Sequence, residues 1–366
     1  MSIKILHTES SPGWGGQENR ILNEALGIKK LGATVYILCQ PESILAKKAK
    51  QLDIEAFTFP MGKTYDIKAI YYTMKLIKKL DIDIINTHSG KDSYIAGIAG
   101  KLSKKHPLIV RTRHLALPIT STFSYKYLAD VVVTTSEYVK QYLIHKGIPE
   151  KKVFAIPTGI DLNIFNPKEV KGNLKNELGL SNEIPLVGTV AVLRKKKGHH
   201  ILIEAIPHVL KKIPETVFVF VGDGPQRKNI EEKIKDYRLK NKVILLGHRN
   251  DVPQILKSID LFVLPTLQEA LGTSFIEAMA MEKAVIGSDV DGVREVIDDG
   301  VNGYLVPSED SAALAERIIE LLTDRKKAKI MGKQGRKKVE RRYTMEIMCK
   351  EMYGLYRKNK NINQNS

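Results

Sequence analysis

The chain has 366 residues, 43% of them hydrophobic and 27% charged, with a formal net charge of +17. That length exceeds what one hydrophobic core usually supports, so two domains are expected, and the apolar share excludes a disordered chain. The two cysteines, Cys39 and Cys349, stand far apart and outside any C-x-x-C spacing, which excludes a disulfide scaffold and a zinc site. Met1 leads straight into IKIL without the layout of a signal peptide. No apolar run approaches the ~18–20 residues of a membrane span. The expectation is a cytoplasmic protein, with peripheral attachment to the cytoplasmic face of the inner membrane left open. The positive excess is mostly lysine and is spread over both halves. A solvated lysine-rich surface accounts for it, and attraction to an anionic membrane surface is the sharper reading. No zinc finger or RNP signature is present, so nucleic acid is not an expected partner.

In chain order, the first half alternates candidate strands IKIL, TVYIL, IDIIN, PLIVRT and DVVVTT with helical patterns such as 17–31 and 68–80. Between the first strand and helix lies Ser11-Pro-Gly13-Trp-Gly15-Gly16-Gln-Glu18. A dinucleotide fingerprint would need glycine where Glu18 stands, which argues against a nicotinamide-dependent dehydrogenase. His88 (in NTHSGK) and His114 (in RTRH) follow strands. A lone histidine is usually a satisfied or surface residue, but strand carboxyl ends are where such sheets bind ligands. The boundary is expected in AIPTGIDLNIFNP, giving domains 1–165 and 166–342, because Pro157, Gly159 and Pro167 punctuate it.

The second half continues with LVGTVAV, VFVFVG, KVILLG, LFVLP, KAVIGS and GYLVP. Helical patterns lie at 198–212, 226–238, 251–258, 274–282 and 311–322. Alternation of this kind predicts an α/β protein with two Rossmann-like doubly wound parallel sheets. A helix over 343–358 is expected to pack back on the first domain, followed by a disordered tail, 359–366. Arg194-Lys-Lys-Lys197-Gly198 puts cations at a strand end, suited to a phosphate or to plain solvation. His248-Arg249 is a candidate for recognition of a base. The strongest local signal is Pro265-Thr-Leu-Gln-Glu269-Ala-Leu271-Gly272-Thr273-Ser274-Phe-Ile-Glu277. Gly272 opens a helix N-terminus where the amides of Gly272, Thr273 and Ser274 suit a diphosphate, flanked by two carboxylates. Ser274-Phe-Ile-Glu277 fits a capping box equally well.

This segment resembles the E-x(7)-E motif of glycosyltransferase family 4, a group of retaining transferases with the GT-B fold. The similarity covers nearly the whole chain. PTGID resembles the interdomain P-N-G-I-D of that family, VGDGP a typical donor-domain strand end, and DGVREVIDDGVNGYLVP its G-G-x-x-E-x-I-x-x-G-x-N-G-x-L-V, with Asp291 at the first glycine. The resemblance implies two domains facing across a cleft and transfer of a sugar, with retention, from a nucleoside-diphosphate sugar to an acceptor hydroxyl. A UDP-sugar is the favoured donor. A glycan or glycolipid is the expected acceptor, in lipopolysaccharide or other cell-surface glycan synthesis.

By the same resemblance, Glu269 contacts the transferred sugar with His114 nearby, and Glu277 contacts the nucleotide ribose. Amides near Leu271, Gly272 and Thr273 hold sugar and diphosphate. Gly15, Gly16 and Glu18 match the G-G-x-E loop on the donor phosphate and acceptor side. His88 matches a common family histidine, and Lys91, Arg111 and Arg113 are acceptor-side candidates. The family arginine preceding the loop lysine is replaced by Val192, so Lys197 is the firmer phosphate ligand and Arg194 a substitute.

Two D-x-D strings, Asp81-Ile-Asp83 and Asp289-Val-Asp291, lie where no metal is needed, and neither a metal nor another cofactor is expected. Two alternatives stay open. A sugar-nucleotide 2-epimerase would form free product without an acceptor. A non-catalytic sugar-nucleotide-binding subunit would bind donor and release nothing.

Overall fold

The computed structural model describes residues 2–364 and the side chains of 2–360. The chain divides into two compact units, Met1–Gly159 with Met345–Ser366, and Ile160–Thr344.

In the first unit, seven parallel strands form one sheet: β1 (Lys4–Glu9), β2 (Thr34–Cys39), β3 (Glu55–Thr58), β4 (Ile84–Thr87), β5 (Leu108–Arg113), β6 (Val131–Thr134) and β7 (Val153–Ala155). Their order is β3-β2-β1-β4-β5-β6-β7, all pairs parallel. The six strands of the second unit are β8 (Leu186–Val190), β9 (Val217–Val221), β10 (Val243–Gly247), β11 (Leu261–Leu264), β12 (Val285–Ser288) and β13 (Gly303–Val306). They run β10-β9-β8-β11-β12-β13, again all parallel.

Near-continuous runs such as VFVFV are what a strand buried on both faces requires. Alternate residues feed different clusters. Phe218 and Phe220 pack with the helix His199–Lys212, while Val217, Val219 and Val221 pack with the helix Thr273–Ala280. Each sheet reverses strand order once, between β1 and β4 in the first unit and between β8 and β11 in the second. Loops leaving the strands at such a reversal diverge and open a crevice at the carboxyl ends.

Three expectations about the chain's organisation are corrected. The first unit ends at Gly159 rather than 165, because Ile160, Leu162 and Phe165 pack into the second unit's core. Tyr343, expected to start the last helix, packs there too, and the C-terminal helix runs Met345–Gln364. Residues 359–364, expected as disordered tail, continue that helix, and 365–366 lie outside the described residues. The C-terminal helix packs on the first unit through Met345, Met348, Cys349, Met352 and Tyr356.

Candidate active site

In the second unit, the loops after β8 and β11 interlock. Lys195–Lys197 form a single 3-10 turn closed by Gly198 in the left-handed conformation. A Cβ on Gly198 would stand 1.7 Å from the carbonyl oxygen of Pro265, so only glycine permits the loops to touch. Leu267 N and Thr266 Oγ1 both donate to Lys196 O, at 2.7 and 2.9 Å. This contact brings the Lys197 ammonium into a salt bridge with the Glu269 carboxylate, both side chains largely withdrawn from solvent. Glu269 N donates to an Asp291 carboxylate oxygen at 3.1 Å. Asp291 holds the left-handed backbone (φ 44°), a conformation that glycine takes freely, and it adds an acceptor.

The helix Thr273–Ala280 begins at Gly272, whose φ of 91° again requires glycine. The amides of Leu271, Gly272, Thr273 and Ser274 make no hydrogen bond among the described residues. They stand open near the Lys197–Glu269 pair, an arrangement that suits an anion. Gly272, not Ser274, is the N-cap, and no side chain caps this helix. The capping-box alternative therefore fails: the Glu277 carboxylate has no hydrogen-bond partner among the described residues, and burial pushes it up to about 7.

Two expected donor contacts are placed elsewhere. Arg194 is exposed and lines a cavity of about 240 Å³ with Lys195, His199, His200 and Lys233, so Lys197 alone of this loop's cations meets Glu269. Arg249 is held by Asp251 (2.6 and 2.8 Å) and Glu177 (2.5 and 3.0 Å). Its planar fork finds two carboxylates, one of them 72 residues earlier, and clamps neighbouring helices rather than standing free for a base. Of the D-x-D aspartates, Asp81 and Asp83 pair with Lys4, Lys105 and Lys360, and Asp289 with Arg294. Among the described residues no cluster of three or more His, Cys, Asp or Glu has metal-binding geometry.

In the first unit, the strands at the reversal carry a chain of imidazoles. His7 Nδ1 meets His88 Nε2 at 3.0 Å, and His88 Nδ1 meets His114 Nε2 at 2.9 Å. Burial lowers the basicity of all three rings. Asp92 fixes the middle of the chain, accepting from His88 N (2.8 Å), Ser89 N (2.9 Å), Thr8 Oγ1 (3.0 Å) and Ser10 Oγ (3.2 Å). Glu9 accepts from Ser11 N at 2.7 Å, from Gln17 at 2.5 Å and from Ser89 Oγ, which ties the glycine-rich loop to this cluster. Burial pushes both carboxyls up, and the Asp92 charge pushes Glu9 further.

Gly15 caps the helix Gly16–Lys30, whose first amides, including that of Gly16, are open, and Glu18 is buried beneath that end. Lys91 is exposed at the start of the helix Gly90–Leu102. His7, Glu9 and Asp92 were not singled out from sequence. The first two stand on β1 where ligand-facing residues belong, so the strand-end rule applied to IKILHTE is the signal for them.

The fold and these two loop clusters define a GT-B glycosyltransferase. Residues 170–338 match the family described as glycosyl transferases group 1, and residues 14–164 match glycosyltransferase family 4. The chain belongs to glycosyltransferase family 4 and is a glycosyltransferase. It is 27% identical to the Escherichia coli UDP-Gal:alpha-D-GlcNAc-diphosphoundecaprenol alpha-1,3-galactosyltransferase, over 97% of this chain and 96% of that one. It is also 27% identical to the Staphylococcus aureus capsular polysaccharide biosynthesis glycosyltransferase CapM, over 85% and 87% respectively. A glycosyltransferase from Rickettsia africae superposes with a TM-score of 0.89 at 23% identity, over 100% of both chains. Anabaena HepE in complex with UDP-glucose gives 0.86 at 22%, over 96% of this chain and 99% of that one.

Proposed function

We propose that the protein transfers a hexose or N-acetylhexosamine from a UDP-sugar to a hydroxyl of a lipid-linked glycan, with retention at the anomeric carbon, in cell-surface glycan synthesis. The observation that carries this reading is the open helix N-terminus at Leu271–Ser274 beside the Lys197–Glu269 pair. The diphosphate lies on those amides with Lys197 beside it. Glu269 accepts from sugar hydroxyls and Glu277 from the ribose. As the bond from the anomeric carbon to the phosphate oxygen breaks, charge develops where Lys197 and the amides already point. The acceptor oxygen bonds to the same face, and its proton passes to the leaving phosphate oxygen. Charge stabilisation by amides and lysine takes the place of a metal. A relative named for a UDP-galactose donor and a diphosphoundecaprenol acceptor, and a neighbour holding UDP-glucose, favour this donor and acceptor class.

The test is nucleoside-diphosphate release from UDP-, GDP- and ADP-sugars. Slow hydrolysis of a UDP-sugar is expected, unchanged in EDTA and about 100-fold or more slower in Glu269→Ala. Binding without release from any donor, with or without lipid-linked acceptor, would overturn the enzymatic reading. EDTA inhibition reversed by manganese would overturn metal independence.

Peripheral attachment to an anionic membrane is part of this proposal, and one surface of the first unit supports it. The helix Ile67–Leu80 carries Lys68, Lys75, Lys78 and Lys79 and no acidic residue. Its outer side exposes Ile67 (79%) and Tyr71 (59%), beside Tyr65 (65%). A basic helix with exposed apolar and aromatic groups suits an anionic interface. No helix among the described residues is long and apolar enough to cross a membrane. Sedimentation with anionic vesicles should fall about tenfold or more when Lys75, Lys78 and Lys79 become glutamate. Equal sedimentation of the variant would remove this surface from the proposal.

A further inference from the structure

The three imidazoles on β1, β4 and β5 form one hydrogen-bonded line whose protons are counted as a unit. Two inter-ring contacts, of 3.0 and 2.9 Å, use His7 Nδ1, both nitrogens of His88, and His114 Nε2. Two nitrogens remain. His7 Nε2 is buried without a partner. His114 Nδ1 also has no partner among the described residues, but it is not among the buried unpaired atoms, so it reaches solvent.

Three neutral rings carry three protons. Each contact takes one, since two N–H groups or two lone pairs at 3.0 Å repel. The third proton then sits at one end of the line. Either every ring is protonated on Nδ1 and His114 presents an N–H outward, or every ring is protonated on Nε2 and His7 buries an unmatched N–H. Orphaned buried N–H groups are rarer than orphaned acceptors. No acceptor stands within hydrogen-bonding distance of His7 Nε2: of the nearby Glu24 carboxylate, Oε1 is taken by Tyr356 and Asn86, and Oε2 makes no hydrogen bond to the ring. A fourth proton, which would charge a ring, is opposed by burial of all three.

We propose that His7 and His88 are positioning residues that lock His114 as the Nδ1–H tautomer, so that its outward nitrogen donates a hydrogen bond to a substrate oxygen and cannot accept one. The line deepens the reading of His114 as a substrate contact and rests on it for that last step alone. His88 is held in turn by Asp92 through its backbone amide, so the register is anchored by β1, β4 and the start of the following helix together.

The test is long-range nitrogen–proton correlation NMR of the ¹⁵N-labelled protein near pH 7.5, with signals assigned by single substitution. All three histidines are expected as Nδ1–H tautomers, opposite to the preference of free histidine. In His7→Asp, whose carboxylate stands near the place of Nδ1 and only accepts, His88 and His114 should switch to Nε2–H. Transferase kcat should fall about tenfold, as one misdirected hydrogen bond would give, with donor KM little changed. His7→Asn, whose side-chain amide donates from the same place, should restore both. An Nε2–H proton on His114 in the wild type overturns the proposal, as do unshifted His88 and His114 signals in folded His7→Asp. Should His7→Asp not fold, the wild-type tautomers decide alone. The NMR readout needs no turnover, so its failure is distinct from failure of the donor or acceptor assignment.

Discussion

Glu277 and Arg249 show opposite fates for charged residues chosen by motif. Glu277 is unpartnered, and burial pushes its carboxyl up to about 7 from the ordinary 4.5. A carboxylate accepts ribose hydroxyls better than its protonated form does. Nucleotide affinity should therefore rise with pH through about 7, and Glu277→Gln should flatten that dependence in calorimetric titrations. Stability runs the other way. Between 4.5 and about 7 the folded chain holds this proton more tightly than the unfolded chain does, so stability falls as pH rises across that window. Glu277→Gln should recover roughly 1–3 kcal/mol above it, read from denaturant midpoints. Arg249, by contrast, spends its guanidinium on Glu177 and Asp251. Both residues lie in the segment that follows a strand of the second unit. Only the side chains that fold around them separate a site residue from a clamp.

At the scale of elements, the proposed donor site rests on two loops that touch. Gly198 is the point of contact, with φ 68° and no room for a Cβ against Pro265. Gly198→Ala must move one loop off the other, which separates Lys197 from Glu269. A loss of about 2–4 kcal/mol in stability is expected. Turnover should fall with it, even where the folded protein is recovered, and a variant with wild-type melting temperature and turnover would sink this account. The lysine was legible from Lys197-Gly198 and the acid from the E-x(7)-E spacing. Their pairing was not, because it depends on a left-handed glycine and on a hydrogen bond from Thr266 Oγ1 to Lys196 O spanning 70 residues. The aspartate that steadies Glu269, Asp291, was read as a departure from the family glycine, and its carboxylate turns out to cap the Glu269 amide.

At the scale of the whole molecule, the chain returns to its first unit to complete it. Tyr356, fully buried on the C-terminal helix, donates to Glu24 at 2.6 Å and accepts from Asn86 at 2.7 Å. Arg20, equally buried, lies 3.7 Å from Glu24 and donates to Ile156 O and Thr158 Oγ1 at 2.8 and 3.1 Å. Such a network is stable only when its members are satisfied together. Tyr356→Phe leaves Glu24 and Asn86 short of a partner and should cost about 1–3 kcal/mol. Removing residues 345–366 also strips Met348 and Met352 from the core. That truncation should leave the first unit molten or aggregated by near-ultraviolet circular dichroism, and a natively folded truncation would refute this role for the helix.

The sequence by itself determined the class of fold, the strand and helix alternation, and the glycine-opened helix start within 265–277. These depend on period, glycine placement and the short-range chemistry of a helix start. It also carried the family, through five motifs in register. The tertiary structure decided the rest. It moved the unit boundary to Gly159, because Ile160, Leu162 and Phe165 find their apolar partners in the second unit. It joined His7, His88 and His114, residues 81 and 26 positions apart, into one line. It gave Arg249 two carboxylate partners, one of them distant in sequence. Local sequence sets what a residue is able to do. Which charges remain unpaired follows from contacts that only the closed sheets create.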